Sequence, residues 1–186
     1  MDALLPALLA VLLAEMGGRV QQNSEALTRH FTKTAPILSA LTLSTLASLI
    51  AAGIGGALVA PLITYEARTL LLGLALLITG GSMLFSSTPP APIKSGAAFP
   101  ISLWRFSTAQ FGDNSQFLVF AIAARSASPT FAVMGGFAAI LIAALPPLLM
   151  PDEWRGALPI QRLRKIAIGL FLISGSYTAL SALRLI

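Results

Sequence analysis

Apolar residues run along this chain in long continuous stretches, separated by short polar segments. The stretches do not alternate apolar with polar, so they predict helices and not barrel strands. Six spans are predicted, at about Ala3–Phe31, Ile37–Ile63, Leu70–Phe85, Ala97–Ala124, Phe131–Met150 and Ile166–Ala182. A helix needs about 20 residues to cross the hydrocarbon core, so the third and sixth are expected to borrow flanking residues. The first span is polar in its second half and the fourth in its middle. The opening run, Ala3–Ala14, has the length of a signal-peptide core, but no Lys or Arg precedes it, and it is read as a retained helix. Pro146 and Pro147 are expected to end or kink the fifth span.

The linkers are short. Ser86–Ser95 holds Pro89, Pro90 and Pro92 and divides the chain into residues 1–88, a linker at 89–96, and residues 97–186. Pro151–Leu163 is the other sizeable loop.

Composition turns long helices into membrane helices. Of 186 residues, 56% are hydrophobic and only 10% charged, and the mean hydropathy is +0.84. Soluble domains carry about 25% charged residues. Too few polar groups exist here to cover a water-facing surface, so lipid is the expected solvent for most of it. The net charge of +5 comes mainly from residues between the apolar runs. Arg29, Lys33, Lys94, Arg155, Arg162, Arg164 and Lys165 fall on one side, and Arg68, Arg125 and Arg184 on the other. The first side is expected to be cytoplasmic, with both termini outside. No basic stripe interleaved with aromatics occurs, so nucleic acid is not an expected partner. There is no Cys, which excludes disulfides, thiol catalysis and thiolate metal sites. No nucleophile–His–acid set, His/carboxylate metal spacing or phosphate loop points to an enzyme.

The two halves look alike. Glu15-Met16-Gly17-Gly18-Arg19-Val20-Gln21 matches Gln110-Phe111-Gly112-Asp113-Asn114-Ser115-Gln116 in position and character. The next span opens with Pro36 in one half and Pro129 in the other, and the last carries Gly73-Leu74 or Gly169-Leu170. Three spans per half is odd, so the repeats are expected to have opposite topology, with a site at their interface near the midplane. The fold class expected is an all-α membrane protein of six transmembrane helices in two inverted three-helix repeats.

Charges inside a bilayer cost at least about 2.5–3.5 kcal/mol each, which makes them functional candidates. Glu15, Arg19, Arg105 and Asp113 lie at membrane depth, beside Gln21, Gln22, Asn23, Gln110, Asn114, Ser115 and Gln116. Glu15 and Arg19 are four apart, in the favourable order for an ion pair on one helix face. Asp113 has no basic residue within four positions, so it wants a cation, a proton or Arg19 from the other half. Gly17 and Gly112 occupy equivalent places, where a missing side chain admits a helix or an ion. Gly53, Gly55, Gly56, Gly135 and Gly136 are expected to serve packing. His30 reads as a surface histidine.

These paired segments resemble the Gdt family of membrane cation exchangers, which carry two copies of Glu-x-Gly-Asp-Lys/Arg-Ser/Thr-Gln. The first copy here keeps Glu15, Gly17, Arg19 and Gln21, with Gly18 in the Asp position and Val20 in the Ser/Thr position. The second keeps Gly112, Asp113, Ser115 and Gln116, with Gln110 for Glu and Asn114 for the basic residue. Of the pattern's four acids, Glu15 and Asp113 remain. The resemblance implies a divergent exchanger of Mn2+ or Ca2+ for H+. In that reading Glu15 and Asp113 supply charge to the metal, and Gln21, Gln110, Ser115 and Gln116 supply neutral oxygens. Arg19, Gly17, Gly112 and Asn114 support the site. No cofactor is expected beyond the transported ion. The expected partners are the lipid bilayer, the metal ion and protons; a second copy in a homodimer is compatible with the sequence. The expected location is a bacterial inner (plasma) membrane. Two other readings stand beside this one: a non-transporting membrane subunit, whose polar groups would close on each other without a cavity, and an exporter of a small organic solute, which would need a cavity much larger than an ion.

Overall fold

A computed structural model describes residues 2–85, 90–93, 95–157 and 159–185. The boundary placed at 88/89, Pro89 and the loop charge Lys94 lie outside the described residues. All regular structure among the described residues is helical.

The helices are α1 (Leu4–Ala14), α2 (Arg19–His30), α3 (Thr34–Val59), α4 (Tyr65–Leu84), α5 (Ala98–Gln110), α6 (Asn114–Arg125), α7 (Pro129–Leu149), α8 (Trp154–Ala157) and α9 (Ile160–Ala182). A single 3-10 turn, Ala60–Leu62, follows α3. Thr34–Leu62, Tyr65–Leu84, Pro129–Leu149 and Ile160–Ala182 are each long and apolar enough to cross a membrane. The α4 and α9 helices reach full length by recruiting the polar residues on their N-terminal sides, as the shortness of their apolar runs requires. Helix α7 runs through Pro146 and Pro147 to Leu149, so the prolines sit in its last turn without ending it.

The first predicted span is not one helix. It breaks at residues 15–18 into α1 and α2, which meet at a bend of 62°; counted as one span, the pair makes a fifth crossing. The fourth predicted span breaks in the same manner between α5 and α6. Polar residues in the middle of each span mark the interruption. At both breaks a glycine takes a left-handed backbone, φ +74° at Gly17 and +73° at Gly112. That conformation costs other residues about 1–2 kcal/mol. A Cβ at Gly112 would meet nothing within 4 Å. Conformation, and not packing, is therefore what requires glycine there.

Two of the unbroken helices, α3 and α7, pack on the broken helix of the other half, and the other two pack on each other. Helix α3 lies against α5 and α6, α7 lies against α1 and α2, and α4 pairs with α9. Small residues set the distance. A Cβ on Gly56 would fall on the Phe120 carbonyl of α6, and one on Gly135 would fall on the Leu4 carbonyl of α1. Outward faces are apolar: Leu9, Leu43, Ile54, Ile78, Ile142 and Ile173 are all exposed. Such a surface is stable only against lipid.

An ionic clasp ties the end of α2 to the loop after α7. Glu25 is buried, and Arg155 donates to its Oε2 at 2.6 and 2.9 Å. Arg29 reaches Glu25 Oε1 at 3.1 Å and Asp152 at 3.2 Å. The Arg155 guanidinium lies 5.0 Å from the ring centre of buried Trp154.

Candidate functional site

The two breaks are copies of each other down to single hydrogen bonds. Gly17 N–H donates to Gln21 Oε1 at 2.8 Å, and Gly112 N–H donates to Gln116 Oε1 at 2.8 Å. Gly18 N–H donates to the Glu15 carbonyl at 2.8 Å, and Asp113 N–H to the Gln110 carbonyl at 3.2 Å. Each glutamine then reaches across to the facing unbroken helix. Gln21 Nε2 donates to the Ala143 carbonyl of α7 at 2.9 Å, and Gln116 Nε2 to the Ser48 carbonyl of α3 at 3.4 Å. A glutamine amide satisfies an N–H freed by the break and a carbonyl on the neighbour, which fixes the break against that neighbour.

Side chains on these matched backbones differ. Glu15 ends α1 as its C-cap and is 1% exposed. Its Oε1 accepts from the Ser115 hydroxyl at 2.6 Å, across the two halves. Its Oε2 is buried with no hydrogen-bond partner. A carboxylate at the negative end of a helix, out of water and with an uncompensated oxygen, is costly unless a proton or a cation joins it. Asp113 is half-buried and is the N-cap of α6, where the free N–H groups of a helix start favour negative charge. It interacts with Glu15, Ser115 and Arg19. Gln110, the counterpart of Glu15, donates from Nε2 to Thr45 Oγ1 at 2.9 Å and to Ser44 Oγ at 3.4 Å, and its buried Oε1 is unpaired. Asn114 Nδ2 donates to Ser82 Oγ at 2.7 Å.

Glu15, Asp113 and Ser115 are thus brought together, with Arg19 alongside. Gln110 faces α3, and Gln21 and Gln116 spend their carbonyl oxygens on the breaks. The Glu15–Arg19 pair expected four residues apart on one helix is not among the ion pairs of the described residues. The reason is the break itself: the spacing rule presumes a continuous helix, and the 62° bend separates the two faces. Arg19 is exposed at the start of α2 and interacts electrostatically with Asp113 of the other half, without a direct ion pair among those of the described residues. A cavity of about 320 Å³ opens onto this place, lined by Gly17, Gly18, Arg19, Gly112, Asp113 and Arg164 among others. Among the described residues no three His, Cys, Asp or Glu side chains converge.

Sequence reasoning passed over Ser44, Thr45 and Ser48, which share one face of α3 opposite Gln110 and Gln116. Their spacing of three to four residues in an apolar helix was the available signal. Glu25 was also passed over.

Bundle and interior carboxylates define a class first: a polytopic integral membrane protein with ionisable groups inside its helices, as transporters have. Residues 98–185 match the family described as "Divalent cation/proton antiporter GDT1". A protein of Vibrio cholerae serotype O1 named "Putative manganese exporter" is 28% identical over 182 residues, spanning 96% of this chain and 91% of its own. These two findings support the chain as a divergent member of the GDT1 family, and a divalent cation transporter in place of an enzyme. No solved structure matches it.

Proposed function

We propose that the protein exports a divalent cation, Mn2+ or Ca2+, in exchange for H+. The observation that carries this reading is the meeting of Glu15 and Asp113, one acid from each half, at two equivalent helix breaks. Hard divalent cations take about six or more oxygen ligands. Two carboxylates supply the charge, Ser115 and the free Gln110 Oε1 are the neutral oxygens nearest in chemistry, and water completes the shell. Gln21 and Gln116 then act from behind, by fixing the breaks that present the acids. Protons compete for the same carboxylates, so loading H+ releases the metal. Arg19 is the resident counter-charge of Asp113 that the metal displaces.

In this reading the chain is two inverted repeats that make six crossings, each broken helix counting as one. Alternating access comes from movement of one repeat against the other around the breaks. The cytoplasmic side carries Arg29, Arg155, Arg162 and Lys165, in a bacterial inner membrane with both termini outside. A cavity lined by Asp113 favours transport over a closed, non-transporting cluster.

Purified protein in liposomes loaded with a metal-sensitive dye tests the proposal. Under an imposed pH gradient, Mn2+ or Ca2+ uptake should follow the gradient and vanish in Glu15→Gln and Asp113→Asn. No flux of either ion in tight, loaded vesicles, or parent-like flux in both variants, sinks it.

A further inference from the structure

Beside the carboxylate cavity lies a larger one of about 700 Å³, between α2 and α5 and beneath residues 90–93. Arg19, Gln22, Asn23, Arg105 and Thr108 form its polar wall, and no carboxylate of the described residues lines it. Arg105 Nη2 donates to the Ala91 carbonyl, while its Nη1 is buried without a partner. Arg105 makes no ion pair among the described residues. Ile93, Ile101 and Trp104 complete the cavity on its apolar side, and Trp104 is largely exposed.

Arg105, with no acid beside it, and the neighbouring guanidinium of Arg19 repel a metal ion in a cavity with no carboxylate among its described lining, so this space is not an entrance for the cation. It suits an anion. Guanidinium N–H groups match the oxygens of a phosphate, and the amide of Asn23 adds a neutral donor. The apolar side and exposed Trp104 suit a ligand that is anionic at one end and hydrocarbon at the other. Residues 90–93, in the loop assigned to the cytoplasmic side, border the cavity, and anionic headgroups gather at that leaflet.

We propose that this cavity binds a phosphate ester, presented by the headgroup of an anionic phospholipid, with Arg105 as its principal contact. Binding here does not depend on which ion the protein moves. Arg19 is shared with the carboxylate cavity, so Arg105 is the residue to change.

Tryptophan quenching reads the site directly. Of the two tryptophans, Trp104 lines the cavity and Trp154 is 2% exposed. Purified protein in mixed micelles is titrated with brominated phosphatidylglycerol or brominated phosphatidylcholine, with Trp104→Phe as the blank. The parent should be quenched by the anionic lipid at roughly tenfold lower mole fraction. Arg105→Gln should erase that preference, Arg105→Lys should keep most of it, and 0.5 M NaCl should weaken it in the parent. Free glycerol 3-phosphate is added as a competitor. Displacement would assign a soluble phosphate ester to the same site, and no displacement would assign the headgroup. Equal quenching by the two lipids in the parent, or a preference intact in Arg105→Gln, overturns the proposal. Should Arg105→Gln fail to fold, the salt dependence of the parent decides: a preference unmoved by salt overturns it.

Discussion

Gly112 carries a left-handed backbone in open space, which makes it a clean test of what a break costs. Gly112→Ala should lower stability by about 1 kcal/mol from backbone strain alone. Gly112→Asn should lose less, because asparagine visits that conformation more readily. Denaturation of the two variants in detergent checks the order; equal losses would mean something other than φ decides. Ser115→Ala removes the one hydrogen bond given to Glu15 Oε1. Cation KM in the liposome assay should rise several-fold, with the maximal rate less affected, because the acid stays but loses its orientation. Glu15, Arg19, Asp113 and Arg105 were legible in the sequence because a charge stands out where charge is expensive. Ser44 and Thr45 were not. A hydroxyl can bond to its own helix, as Ser44 does to the Leu41 carbonyl, so it passes for an ordinary apolar-helix residue.

At the scale of the element, the broken helix is the unit that matters. Gln21 and Gln116 hold the two breaks through equivalent bonds, so Gln21→Leu and Gln116→Leu should loosen their breaks in the same way but to different degrees. The loss should be larger for Gln21, whose bond to Gly17 is part-buried, about 1 kcal/mol or more, than for Gln116, whose bond to exposed Gly112 water can replace. Hydrogen exchange at Gly17 and Gly112 should quicken in the respective variant, and protection unchanged in both would refute the locking role. The apolar runs announced where the long helices lie: four of them are helices long and apolar enough to cross a membrane, and α1 with α2 makes a fifth crossing when counted as one. What they could not announce was the interruption. Gly17 and Gly112 read equally well as packing glycines within a continuous helix, and the expected Glu15–Arg19 pairing followed from that continuity. Gly56 and Gly135 were read correctly as packing positions, since small residues in apolar helices have few other uses.

For the whole molecule, the pairing of α3 with α5 and α6, and of α7 with α1 and α2, places each half in the grip of the other. No local pattern encodes that exchange, although the repeated motif hinted that the halves are equivalent. Orientation is open to direct test, because the chain has no native Cys. Single-cysteine variants at Arg162 and Ser82 should react with an impermeant reagent from the cytoplasmic side, Ser82 because its neighbours line the Asp113 cavity. A cysteine at Ser128 should react only from outside. Reversal of both patterns would invert the assigned topology, and silence at Ser82 would mean that the cavity is closed in the membrane.

Matched backbones with unmatched side chains have a thermodynamic result. Were the halves chemically identical, the state open to one face and the state open to the other would be equal in free energy, and an idle population would divide evenly. Here Gln110 rests on two hydroxyls of α3, while Glu15 has Ser115 and one bare oxygen. That degeneracy is lifted, and a difference of about 1.4 kcal/mol is enough to leave ten molecules facing one way for each facing the other. In the proposed alternating-access cycle, the unloaded protein therefore has a preferred direction to wait in, set by side chains and not by the architecture that carries them.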